Sequence, residues 1–119
     1  MSATTLLLAI EDAGVGVMTL TEGLQDDELV GSRLTRAETI RHLLLLTEAA
    51  KGLPDVMRAG MPEVDWAGLS AAEQALSGPR GPAQDEALLL GAKALVPTAL
   101  MWLRVYRTQH PDWFSLSPA

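Results

Sequence analysis

Apolar residues recur at three- and four-residue steps at Leu6, Ile10, Ala13, Val17, Leu20 and Leu24, which predicts a helix over residues 4–23. Gly14 and Gly16 fall inside it. An interior glycine costs about 1 kcal/mol relative to alanine, so the spacing predicts a neighbouring backbone packed close against them. Residues 25–33, with Asp26, Asp27 and Glu28, read as an acidic connector. A second helix is expected from Thr35 to Lys51, because Thr35 and Glu38 have the spacing of a capping box, Gly52 offers a left-handed cap and Pro54 blocks continuation. Ile40, Leu43, Leu44 and Thr47 share one face, while Leu45 and Leu46 widen the stripe beyond what one neighbour covers. That predicts a central helix or one that carries an oligomer contact.

A short helix is expected from Pro54 to Gly60, and another over Trp66 to Leu76. Ser70 and Glu73 repeat the capping-box spacing and leave Ser70 open as its start. Gly78, Pro79, Gly81 and Pro82 enforce a loop. The last helix is expected over residues 84–109, with Asp85 and Glu86 at its positive end and a kink at Pro97. Its stripe is Leu88, Ala92, Leu95, Ala99, Trp102, Leu103 and Tyr106, and a short tail covers residues 110–119.

Composition narrows the fold class. Leucine and alanine dominate and β-branched and aromatic residues are sparse, so the 119 residues predict one all-α domain, residues 1–119, of four to five helices. Nine basic against fifteen acidic residues give a net charge of -6, which disfavours nonspecific attraction to nucleic acid or anionic lipid. There is no cysteine, so no thiolate can act as ligand or nucleophile. The apolar stretch Ala87 to Leu103 is interrupted by Lys93 and Pro97, and no basic region precedes Leu6, so neither a membrane span nor a signal peptide is expected.

Candidate chemistry is sparse. Glu38 and His42 stand four residues apart and supply at most half a metal site, and Asp26 to Glu28 lack the spaced ligands of a calcium loop. No metal or cofactor is expected. Gly78-Pro79-Arg80-Gly81-Pro82 is read as a turn, because its prolines remove the amide donors a phosphate loop uses. Trp66 and Trp102 sit at core positions, whereas Trp113-Phe114 is expected to fold back on the domain or onto a second subunit.

Several phrases resemble one family. Ile10-Glu11-Asp12, Thr21-Glu22-Gly23-Leu24, Leu34-Thr35-Arg36, Thr47-Glu48-Ala49-Ala50-Lys51-Gly52-Leu53-Pro54 and Met61-Pro62-Glu63-Val64-Asp65-Trp66 together resemble the HepT-like proteins of the HEPN superfamily over residues 6–110. The resemblance implies an up-and-down, HEPN-like helical bundle that pairs into a homodimer in the cytoplasm, and typical members are toxin ribonucleases restrained by a small nucleotidyltransferase antitoxin. Their activity rests on an Arg, usually followed by Asn, and a nearby His, often with a Tyr two places on. Arg offsets charge developing on the scissile phosphate and His moves the proton of the attacking hydroxyl. Counted from Trp66, those positions fall on Glu73, Gln74, Gly78 and Arg80. Each has changed, and no catalytic residue carries over.

The resemblance therefore implies a degenerate member acting through protein contacts. Arg80, in place of the tyrosine, is expected near the dimer seam, pairing with an acidic residue such as Glu73 of either subunit. The rival reading is a ribonuclease or nucleotide-binding toxin rebuilt from Arg36, Arg41 and His42; Arg104 with His110 repeats the same loose spacing. A third, a small-molecule binder using the bundle core, has no polar cluster to support it.

Overall fold

The computed structural model describes residues 1–116; the last three residues of the expected tail lie outside the described residues. Six helices follow in order: α1 (Ala3–Thr21), α2 (Asp26–Gly31), α3 (Arg33–Gly52), α4 (Asp55–Ala59), α5 (Trp66–Leu76) and α6 (Pro82–Gln109). A 3-10 turn, Pro111–Phe114, closes the chain, and no strand occurs among the described residues.

The expected stripes turn inward in the main, though Leu6, Leu20, Leu24 and Trp102 are only half-buried and Leu7 and Val96, outside those stripes, are fully buried. Leu7, Ile10 and Val17 of α1, Leu43 and Leu46 of α3, Leu69 and Leu76 of α5, and Leu88, Val96 and Leu103 of α6 belong to one buried cluster. The second predicted helix is less over-wide than its sequence suggests, because Leu46 is fully buried and only Leu45 remains 52% exposed. α1 packs chiefly on α3, and the two run antiparallel: Gly16 lies against His42, and Gly52 against Leu6. α1 and α6 are antiparallel as well, since Leu100 covers Gly14 and Arg107 pairs with Glu11. At both interior glycines it is a side chain that approaches, not the expected backbone.

Helix boundaries depart from expectation where local chemistry differs. The acidic connector holds α2, whose first turn is Asp26, Asp27 and Glu28, favourable at a helix N-terminus. There Glu28 Oε1 accepts the Gln25 amide at 2.9 Å. The capping box expected at Thr35 and Glu38 does not form, because α3 starts earlier, at Arg33 after Ser32. Thr35 instead offers its carbonyl to the Thr39 hydroxyl at 2.7 Å, and the Glu38 carboxylate takes Arg41. Gly52 is not a left-handed cap; Leu53 turns extended, the conformation imposed on a residue before proline. The left-handed residue is Gly23, with φ 76°, at the end of α1. α5 starts at Trp66 rather than Ser70, capped by Asp65, whose Oδ1 accepts the Gly68 amide at 2.8 Å.

Pro97 does not break α6. Gly91–Leu95 form a π-helical turn, and the Val96 amide reaches back to the Gly91 carbonyl. The wider turn absorbs the amide the proline lacks, so the helix continues. α1 and α6 are both long and apolar enough, by length and composition, to cross a membrane; Lys93 and Pro97 do not divide α6 as the sequence suggested. In the fold their buried residues meet in the common core.

Candidate functional site

Glu73, Gln74, Gly78 and Arg80, the positions singled out by the resemblance, lie at the end of α5 and the turn after it. Glu73 is half-buried, and its Oε1 stands 2.8 Å from Lys51 Nζ, which also has Glu48 at 3.6 Å. Glu73 holds the Lys51 ammonium above its usual range, by hydrogen bonding first and charge second. Gln74 is exposed. Gly78 is part of the turn: its amide donates to Ala75 at 3.2 Å and its carbonyl accepts from Gln84 Nε2 at 3.3 Å. Arg80 is exposed and makes no hydrogen bond or ion pair among the described residues, so the pairing expected with Glu73 does not occur within the protomer; Lys51 takes that carboxylate.

Beside Glu73 lies a small cavity of about 40 Å³ lined in part by Lys51, Arg58, Trp66 and Ser70. It has room for about one water. Both of its cations are engaged, Arg58 with Asp55 and Lys51 with Glu73. Trp66 spans its wall and donates its indole N–H to the carbonyls of Arg58 at 3.1 Å and Met61 at 3.0 Å, closing the α4 end. The arrangement offers no open cationic groove for a phosphate.

The residues of the rival site are separated. Arg36 is 5% exposed, and its guanidinium reaches Gln84 Oε1 at 2.7 Å, the Val30 carbonyl at 3.2 Å and Asp85 Oδ1 at 2.7 Å. The Asp85 oxygen is buried and accepts no hydrogen bond, so the contact is an ion pair by proximity. Arg36 thus ties α2, α3 and α6 together. His42 turns the other way, toward α1. Its Nδ1 lies 2.8 Å from the Glu38 carbonyl, which can only accept, so Nδ1 carries the proton and Nε2 faces Gly16. Arg41 is exposed and binds Glu38 Oε2 through Nε at 3.1 Å and Nη2 at 2.9 Å. That contact holds the Glu38 carboxyl below its usual range, the hydrogen bond from Arg41 being the first cause. Glu38 and His42 do not form even half a metal site, since the carboxylate serves Arg41 and the imidazole serves a carbonyl. No group of three or more metal-ligating side chains occurs among the described residues.

Arg104 and His110 also diverge. Arg104 projects from α6 into solvent, whereas His110 stacks on Trp113 with ring centres 3.9 Å apart and planes within 4°. Tyr106 extends the stack, 6.4 Å from Trp113, and donates its hydroxyl to Glu63. Phe114 is buried beneath Arg107, so the tail folds back on its own domain.

One further surface groove carried no sequence motif. α1 and α6 flank a shallow groove of about 670 Å³, lined by Val15, Met18, Pro97, Leu100 and Met101, with Glu22, Lys93 and Arg104 at its ends. Lys93 donates to the Leu24 carbonyl at 2.6 Å from within the π turn. The signal was present as a second apolar face on α1, at Val15 and Met18, which the stripe of Leu6 to Leu24 overshadowed. No family model matches the chain, and neither a curated protein nor a solved structure matches it.

Proposed function

We propose that this chain is a catalytically degenerate HepT-like protein, an up-and-down HEPN-like bundle that works in the cytoplasm as a homodimer through protein–protein contacts. The observation that carries the reading is the state of the aligned motif. Glu73 repels phosphate and is already matched to Lys51, and Gly78 has no titratable group. Arg80 has no hydroxyl for a nucleotidyltransferase to modify, so any such partner would act by binding alone. The net charge of -6 points the same way, since RNA would meet an acidic surface.

The test is direct. RNA incubated with the pure protein is expected to survive, and ATP with a cognate nucleotidyltransferase is expected to add no mass to residues 77–82. Metal-independent cleavage abolished by His42→Ala would overturn the reading in favour of the rebuilt site at Arg36, Arg41 and His42. A mass increase mapped to residues 77–82 would restore the regulated toxin.

A further inference from the structure

Every lysine and arginine of the chain but one lies within a helix, in α3, α4 or α6. The exception is Arg80, in the turn between α5 and α6. Pro79 and Arg80 are exposed, and Arg80 has no hydrogen bond or ion pair among the described residues. Gly81 precedes a proline, which disfavours the helical conformation there, and its backbone is extended at φ 166° and ψ -170°. A Cβ built on Gly81 would meet nothing within 4 Å, so the bond after Arg80 has open space beside it.

These features match what an endopeptidase that cuts after a basic residue requires. Such an enzyme takes the arginine into an anionic pocket and holds the flanking backbone extended. A basic residue inside a helix offers its peptide bond only after local unfolding, whereas an exposed turn is accessible in the native fold. Gly81 carries an ordinary amide, and the prolines at positions 79 and 82 each stand one step away from the Arg80–Gly81 bond.

The contacts across that bond do not depend on it. Gln84 Nε2, beyond the bond, donates to the Leu76 carbonyl at 3.0 Å and the Gly78 carbonyl at 3.3 Å, before it. Arg36 reaches Gln84 and Asp85 across the same point, and Glu11 takes Arg107. Leu88, Val96 and Leu103 of α6 are fully buried in the common cluster.

We propose that the Arg80–Gly81 bond is a cleavage site for an arginine-specific endopeptidase, and that residues 1–80 and 81–119 remain one folded, two-chain protein after the cut. In the hydrolysis the C–N bond breaks, water gives its hydroxyl to the Arg80 carbonyl carbon, and its proton goes to the Gly81 amine. The inference is independent of the proposed function, since an active ribonuclease with this fold would be cut at the same bond.

The full chain, digested with a low ratio of trypsin and sampled by intact-mass spectrometry, is expected to give residues 1–80 and 81–119 as its first products. The two are expected to co-elute on size exclusion at the position of the uncut chain and to separate only in urea. Arg80→Gln removes a side chain that has no partner, so the fold is kept, and cutting is expected to slow about tenfold or more. Arg80→Lys, which trypsin also accepts, is expected to be cut at nearly the wild-type rate. A first cut at Arg33, Arg58 or any other helical residue would overturn the proposal, as would an Arg80→Gln chain digested as fast as wild type. Products that part without denaturant would overturn the two-chain form.

Discussion

Gly16 shows how one missing Cβ sets the distance between two helices. A Cβ there would stand 2.4 Å from His42 Cδ2 and 2.8 Å from Nε2, and the ring cannot retreat without breaking its bond to the Glu38 carbonyl. Alanine would gain about 1 kcal/mol of helix propensity and lose about 1–3 kcal/mol to overpacking, so Gly16→Ala is expected to destabilise the fold. Urea unfolding should show the loss in Gly16→Ala and its relief when His42→Ala is added. Gly31 is the control, an exposed helical glycine with open space around its Cβ direction. Gly31→Ala should raise stability by about 0.5 kcal/mol. An equal response at the two sites would show that His42 does not pack as described.

At the scale of elements, single polar contacts join helices whose apolar faces alone would leave their register loose. Arg36 joins α2, α3 and α6, and Tyr106 joins α6 to the loop before α5 through Glu63. The Glu63 hydrogen bond, followed by burial and the Glu63 charge, raises the Tyr106 phenol above its ordinary value. A group whose pKa is raised in the folded state contributes stability that is present below its unfolded pKa, about 10, and lost as pH rises through the folded one. Tyr106 is the one tyrosine in the chain, so its ultraviolet titration is unambiguous. The midpoint should lie above that of free tyrosine and fall toward it in Glu63→Gln. An unchanged midpoint in that variant would refute the contact. Lys51 behaves with the same sign, its pairing with Glu73 weakening only in alkali.

At the scale of the molecule, the end of the chain completes the interior. Phe114 is 4% exposed, packed with the cluster that α1 and α6 share, and Arg107 covers its ring at 4.7 Å. Phe114→Ala should cost about 3 kcal/mol, as removal of a buried aromatic does. Thermal unfolding should show it as a loss of several degrees for a domain of this size. A change within error would place the tail outside the cooperative unit. The same fold pairs Glu73 with Lys51 beside a cavity of about 40 Å³ and leaves no open cationic groove there, which is why the proposed function rests on contacts with protein.

The amino-acid pattern alone determined the helical class, the major core stripes and the places where helices must stop. Those follow from periodicity, from Pro54 and from the glycines and prolines of residues 78–82, which act over a turn or two of backbone. The resemblance that places a catalytic motif at Glu73, Gly78 and Arg80 is likewise a reading of residue identity alone, and the proposed function rests on it. Tertiary structure decided what depends on residues distant in the chain. Glu73 pairs with Lys51 rather than Arg80, Arg36 is consumed by Gln84 and Asp85, and the π turn carries α6 through Pro97. The α1–α6 groove belongs to this second kind. Val15 and Met101 lie 86 positions apart in sequence, and only the antiparallel packing of their helices makes them one surface.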